Sequence, residues 1–279
     1  MDDRRLNVFW RRNKTFPTQY GENDETPGEE ETLVFWRSIN NREVSDGWRK
    51  DESIQVALRE VREYFQGRRC RWEEFTEEEF DDVLRFTALW KACGVDSVDS
   101  FPIKKCPPIR KAVYELVKKM VEWKVTDKWD EDNNWLLEGR TVLIFKGGDR
   151  KDPANYRPIT CLPTITKMVT LAIHKRMRRW LFGSFGGDHP GVQSGGVRSS
   201  RGCKEAVIEN IASNMMKKKK DKTELYYDFQ KAYDNVNHAF LEELLDVYGF
   251  PPGVQSLIIE MMARWKIRLS NGRRKRWEK

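Results

Sequence analysis

The chain has 279 residues, 39% of them hydrophobic and 34% charged, with eleven tryptophans, which gives it a core to bury and excludes a wholly disordered polypeptide. Its 51 Lys and Arg against 44 Asp and Glu leave a net charge of +7, which points to an anionic partner, first of all a phosphate backbone. Five scattered cysteines read as reduced intracellular thiols rather than zinc or disulfide frameworks, and without an apolar leader or a run of about 18–20 apolar residues neither secretion nor a membrane span is expected.

Residues 1 to about 31 combine a basic start with the polar run from Gly21 to Glu31, which has almost nothing to bury and reads as a linker or mobile arm. Phe35, Trp36, Trp48, Ile54, Val56, Leu58, Val61 and Phe65 then fall at partly helical spacing, a helical preface. Thr76-Glu77-Glu78-Glu79 ahead of Phe80, Val83, Leu84 and Leu89 is a capping-box helix start with an apolar face. Another helix is expected after Cys106-Pro107-Pro108, carrying Val113, Leu116, Val117, Met120 and Val121 on one side.

Thr141-Val142-Leu143-Ile144-Phe145 predicts a buried strand that ends in the turn Gly147-Gly148-Asp149. The prolines at 153 and 158 exclude a regular helix from the next stretch. Ile165 to Leu181 fits a long helix whose stripe is Met168, Val169, Ala172, Ile173, Met177 and Trp180, with Lys167, Lys175, Arg178 and Arg179 on the wet side. Gly183 to Gly202 reads as a glycine-rich and serine-rich loop, followed by a helix over about 204–216 and the basic tip Lys217 to Lys220. Leu225 to Asp228 predicts a short aromatic strand, and Phe240 to Tyr248 a helix stopped by Gly249 and Pro251. The last helix is expected over about 254–266, burying Leu257, Ile258, Met261, Met262 and Trp265.

The chemistry-bearing positions each admit two readings. Asp228 at a strand mouth can hold Mg²⁺ or cap a helix, although Asp234 and Asn235 stand better placed to cap the helix that follows. Tyr233 is a steric gate at a nucleotide sugar or a core aromatic. Lys146 and Arg157 flank a glycine-bearing turn and pair a point charge with a guanidinium fork, which suits a triphosphate, or are two solvated bases. The turn lacks the Walker A pattern, so an ATPase is weakly supported. Arg198, Arg201 and Lys204 can track a nucleic-acid backbone, as can Lys217 to Lys220 and Arg273 to Arg276, unless these are solvated surface.

In order along the chain, Trp135 to Lys146, Asn155-Tyr156-Arg157-Pro158-Ile159-Thr160-Cys161-Leu162, Gln193 to Lys204, Asp228 to Val236 and Leu257 to Leu269 resemble blocks of the reverse transcriptase domain of non-LTR (LINE-type) retrotransposons. That resemblance covers roughly residues 75–279 and implies an α/β (α+β) right-hand polymerase fold of fingers plus partial palm, with residues 1–74 as a helical N-terminal extension. It implies an RNA-directed DNA polymerase that takes an RNA template, a DNA primer and deoxynucleoside triphosphates and uses Mg²⁺. Asp228 would be the catalytic metal ligand with the Phe229 carbonyl as a second ligand, Tyr233 the sugar gate, and Lys146 and Arg157 the triphosphate contacts. Gln193, Arg198, Arg201 and Lys204 would lie along nucleic acid, and a nuclear location follows from the resemblance alone.

Several features depart from the family. Gly94-Val95-Asp96-Ser97-Val98-Asp99 replaces the usual proline-bearing loop, and Phe145-Lys146 stands where a proline-lysine pair is common. Neither the glycine-rich palm motif nor the aromatic-x-Asp-Asp hairpin is present, and no thumb follows. This chain is therefore expected to be inactive alone, missing the palm and thumb segments of a longer polyprotein. The alternative is a non-catalytic nucleic-acid-binding remnant of a retroelement.

Overall fold

The computed structural model describes residues 26–40, 45–89, 91–184, 203–216, 225, 227–229, 232, 233 and 235–270. They fall into two compact units, Met1–Lys175 with Val236–Lys279, and Arg176–Asn235. The protein mixes helices with one small sheet.

In the first unit, α1 (Glu29–Asn40) begins where a linker was expected to end. Glu29, Glu30 and Glu31 form its first turn, where the positive end of the helix dipole favours carboxylates, so a polar acidic run here starts a helix. Trp36, only 2% exposed, joins Leu143, Tyr156 and Leu269 in a core cluster flanked by Leu33, Phe35 and Ile39. The side chain of Asp51 accepts the Ile54 amide at 3.1 Å and caps α2 (Glu52–Tyr64), which buries Leu58.

α3 (Glu77–Phe86) starts with the expected capping box and buries Phe80, Val83 and Leu84, while Leu89 lies beyond it, exposed. Asp99 caps the short α4 (Ser100–Lys105), and α5 (Pro107–Val121) opens on the two prolines, which cost nothing at the first turn because those amides need no helical partner. Three bonds fasten the 72–75 segment to α5 and its end. Trp72 Nε1 donates to Val121 O at 2.8 Å, Tyr114 Oη donates to Phe75 O at 2.9 Å, and the Phe75 amide donates to Glu122 at 2.6 Å.

The sheet has the order β2-β1-β3. β1 (Glu138–Phe145) pairs antiparallel with β2 (Tyr156–Cys161), Leu143 opposite Pro158 and Ile144 opposite Arg157. It pairs in parallel with β3 (Lys266–Ser270), Glu138 opposite Lys266. Proline tolerates β2 because that strand is an edge, where an amide donor can be missing without breaking the ladder. Alternation puts Thr141, Leu143, Tyr156 and Leu269 towards the α1 cluster, and Ile144, Arg157 and Ile159 on the opposite, exposed face.

α6 (Thr164–Ser184) runs three residues past the expected end, and its first part buries Ile165, Met168, Val169, Ala172 and Ile173. Lys175 departs from the expected wet side: it is half-buried, bonds Asp82 of α3 and places its ammonium 3.9 Å from the centre of the Phe86 ring. α8 (His238–Val247) is capped by Asn237, whose side chain accepts the Phe240 amide at 2.8 Å, and not by Asp234 or Asn235. The helix simply begins later than expected, and the cap is the residue before its first turn. Gly249, with φ +74°, then turns the chain in a backbone region that side-chain-bearing residues avoid.

α9 (Pro252–Arg264) buries Val254, Leu257 and Met261, with Ile258 and Met262 half-covered. Trp265 is 46% exposed, and Lys266 opens β3, so the expected final turn of helix is replaced by the entry to a strand. In the second unit, α7 (Cys203–Met216) matches the expected helix, and its Val207, Ile208, Ile211 and Met215 are exposed. Among the described residues of the strand expected at 225–228 and just after it, Leu225, Tyr227, Asp228 and Phe229 have no regular structure and all are exposed, while Tyr226 lies outside the described residues.

Candidate nucleotide-binding hairpin

The β1–β2 hairpin brings Lys146 and Arg157 to one face. Arg157 pairs with Ile144, and Lys146, just past the end of β1 and bonded through its amide to Asn155 O, is two residues beyond Ile144, so the two bases are diagonal neighbours across the hairpin, with Cβ atoms about 7–8 Å apart for ideal strands. Both are exposed, and neither carries an ion pair among the described residues. The Lys146 ammonium donates to Ala154 O at 3.2 Å and so folds back over its own turn. Ile144 and Ile159, 37% and 46% exposed, flank Arg157 and make the face part apolar and part cationic.

Further along the sheet the same face is tied down. Arg268 on β3 pairs with Glu138 on β1 at 2.6 Å, and Arg140 donates to Cys93 O at 3.1 Å. Arg268 is thus neutralised by Glu138, whereas Lys146 and Arg157, with no ion pair among the described residues, keep their charge available to a ligand phosphate.

The turn between the strands contains Gly147 and Gly148, at φ +125° and +93°. Lys146 N–H donates to Asn155 O at 2.8 Å and closes its base. Asn155 Nδ2 donates to Asp149 O at 3.0 Å, Asp149 accepts the Lys151 amide at 2.9 Å, and Tyr156 Oη donates to Arg150 O at 2.7 Å. Reading the sequence for charged ligands to phosphate passed over Asn155 and Tyr156, because neither carries charge. Their adjacency to Arg157, just past a proline and opposite two glycines, was the available signal.

The remaining predicted residues belong to the second unit, except Arg273 to Arg276, which fall in the first. Asp228 and Phe229 are exposed, the latter at 79%, and Tyr233 is 95% exposed, which excludes a core role for the tyrosine in this chain. Lys204 is exposed in the first turn of α7. Gln193, Arg198 and Arg201 lie outside the described residues, as do Lys217 to Lys220 and Arg273 to Arg276.

Asp228 offers the hard oxygen donors that Mg²⁺ prefers, and the Phe229 carbonyl another. Among the described residues, however, no three or more His, Cys, Asp or Glu side chains stand together as a metal site. Mg²⁺ is commonly held by one or two carboxylates together with waters and substrate phosphates, so Asp228 with the Phe229 carbonyl would supply only part of such a site. All five cysteines are free thiols, and no described helix is long and apolar enough to cross a membrane.

Comparison with known proteins bears on the same segment. Residues 146–279 match the family "Reverse transcriptase (RNA-dependent DNA polymerase)". The chain is also 27% identical over 120 residues to the retrovirus-related Pol polyprotein from type-1 retrotransposable element R2 of Popillia japonica. That alignment covers 43% of this chain and 16% of the relative, so the chain spans well under two thirds of the polyprotein it matches. Polymerases of this family use divalent metal ions, a nucleic-acid template and nucleotide substrates. The matched segment begins at Lys146 itself and takes in Arg157, Lys204, Asp228 and Tyr233, so the stretch that carries these residues is similar to reverse transcriptases and to a polyprotein of a retrotransposable element.

Proposed function

We propose that the chain is the fingers and first palm portion of an RNA-directed DNA polymerase of right-hand fold, acting within a longer retrotransposon polyprotein. The reaction is attack of a primer 3′-hydroxyl on the α-phosphate of a deoxynucleoside triphosphate, with pyrophosphate leaving and an RNA strand selecting the base. The observation that carries this reading is the placement of Lys146 and Arg157 side by side on the exposed face of the β1–β2 hairpin, within the segment that matches the family. A point charge beside a planar fork grips a triphosphate without reading the base, as a polymerase requires.

In this reading Asp228, with the Phe229 carbonyl, contributes to the paired Mg²⁺ ions that such nucleotidyl transfer employs to polarise phosphate oxygens. The described residues supply one carboxylate of the set, so the chain alone is proposed to be inactive. Tyr233 presents its ring to the sugar and discriminates against a 2′-hydroxyl, while Gln193, Arg198, Arg201 and Lys204 run along the nucleic acid.

Photo-crosslinking of an azido-deoxynucleoside triphosphate to the 279-residue chain tests the hairpin. Label is expected in the peptide spanning β1 and β2, lost in the double variant Lys146→Ala, Arg157→Ala and retained in Lys119→Ala on α5. Label that ignores the hairpin substitutions, or templated primer extension by the chain alone, would contradict the proposal.

A further inference from the structure

The hairpin reading above leaves open what holds a flexible lysine in a useful place. A lysine side chain loses up to about 2 kcal/mol of rotamer freedom when it is fixed, so a site that has already fixed it binds more tightly. Here the Lys146 ammonium donates to the Ala154 carbonyl at 3.2 Å, and that carbonyl shares its peptide unit with the Asn155 amide, which donates to Asp152 O at 3.1 Å.

Asn155 makes contacts on both sides of the turn. Its carbonyl accepts the Lys146 amide at 2.8 Å, and its side-chain amide donates across the turn to Asp149 O at 3.0 Å. The same amide group lies directly against Gly148, where an added Cβ would come within 2.9 Å of Asn155 Nδ2. Asn155 thus fills the space that the absent side chain of residue 148 leaves, and a larger residue at either position would open the turn. The Asp152 carboxylate accepts the Ala154 amide at 2.8 Å, and the amide of the 154–155 peptide itself, Asn155 N–H, donates to Asp152 O at 3.1 Å. Arg157 follows two residues on, in strand register.

We propose that Asn155 is a positioning residue for Lys146, and that the turn it closes presents Lys146 and Arg157 as one preset triphosphate grip. This rests on the hairpin being the nucleotide-binding element. Asn155 itself touches no substrate. It acts through the Ala154 carbonyl and the 148–149 backbone.

The test is equilibrium binding of dTTP to the 279-residue chain, measured with and without Mg²⁺. Five variants are compared, namely Asn155→Ala, Asn155→Asp, Lys146→Ala, Arg157→Ala and the double Asn155→Ala, Lys146→Ala, with thermal midpoints recorded for each. Asn155→Ala removes the donor and its bulk, and Asn155→Asp keeps the shape without the donor. Both are expected to weaken dTTP by about fivefold or more, roughly what loss of one charged phosphate contact costs. In the Lys146→Ala background Asn155→Ala should add nothing, because coupled residues are non-additive while general damage to the fold is additive. An additive loss would overturn the proposal, and so would unchanged binding by Asn155→Ala and Asn155→Asp when Lys146→Ala weakens it. If Lys146→Ala and Arg157→Ala both bind dTTP as the unaltered chain does, the hairpin reading itself is wrong, a separately recognisable failure.

Discussion

Tyr156 and Arg150 are joined across the hairpin turn by a hydrogen bond from the tyrosine hydroxyl to the arginine carbonyl at 2.7 Å, while the Tyr156 ring, 2% exposed, belongs to the core under α1. The bond ties the tip of the hairpin to a buried part of the sheet. Tyr156→Phe keeps the ring and removes the tie, and is expected to cost about 0.5–1.5 kcal/mol in denaturant unfolding. Amide hydrogen exchange of Lys151 and Asn155 should quicken while that of Leu143 should not.

Trp36 connects a segment far upstream of the matched region to the strands. Trp36→Ala deletes a side chain packed on Leu143, Tyr156 and Leu269 and is expected to destabilise the first unit by about 3–5 kcal/mol. Chemical denaturation followed by circular dichroism reads this directly. A loss under about 1 kcal/mol would show that α1 is an appendage to the sheet.

The capping box of α3 gives a cleaner local test, because Glu79 N–H donates to Thr76 Oγ1 at 3.2 Å on a solvent-facing helix start. Thr76→Ala should cost about 0.5–2 kcal/mol and Thr76→Ser much less. Equal losses for the two substitutions would place the effect elsewhere.

Asp96 sits in the loop that departs from the family pattern, with both carboxylate oxygens buried. Burial pushes its carboxyl above the ordinary carboxylate range, partly offset by the Val98 amide and by the Lys167 ammonium. A carboxyl raised on folding binds its proton more tightly in the native chain. It therefore weighs against the fold increasingly as pH rises from the unfolded value of 3.8 through the higher folded value, and to a constant extent above that. Asp96→Asn should raise the thermal midpoint at pH 7 and have little effect near pH 3.5. A stabilisation independent of pH would disconnect it from this carboxyl.

Affinity for single-stranded RNA is expected to fall with salt, with a log-log slope of about −0.7 for each phosphate neutralised. Lys204→Ala should reduce that slope by about one contact. Asp228→Ala should leave RNA affinity alone and abolish any Mg²⁺-dependent gain in nucleotide crosslinking. If neither quantity responds to Asp228→Ala, the chain is a nucleic-acid-binding remnant.

Helices were legible in the sequence wherever a cap or a proline stood beside an apolar stripe, as at Thr76, Pro107 and Gly249. Acidic polarity misled at Glu29 to Glu31, since composition records that these residues bury nothing but not that a helix dipole welcomes them. β2 was illegible because Pro158 argues against a strand until it is known to be an edge. The aromatic run at 225–229 has strand propensity, yet propensity forms a strand only where a neighbouring ladder accepts it, and none of the described residues there is paired. At the candidate site Lys146 and Arg157 were legible from residue type, whereas Asn155 emerges only once the turn is seen to fold around Gly148.

The middle strand of the sheet serves two partners that differ in how soon they exist. β1 meets β2 across a short turn, so that ladder can zip within microseconds of both strands leaving the ribosome. Its other edge waits for Lys266 to Ser270, which are made only after α6 to α9. Until then β1 offers an unsealed edge to any passing strand, and this interval of aggregation risk ends only when β3 is synthesised.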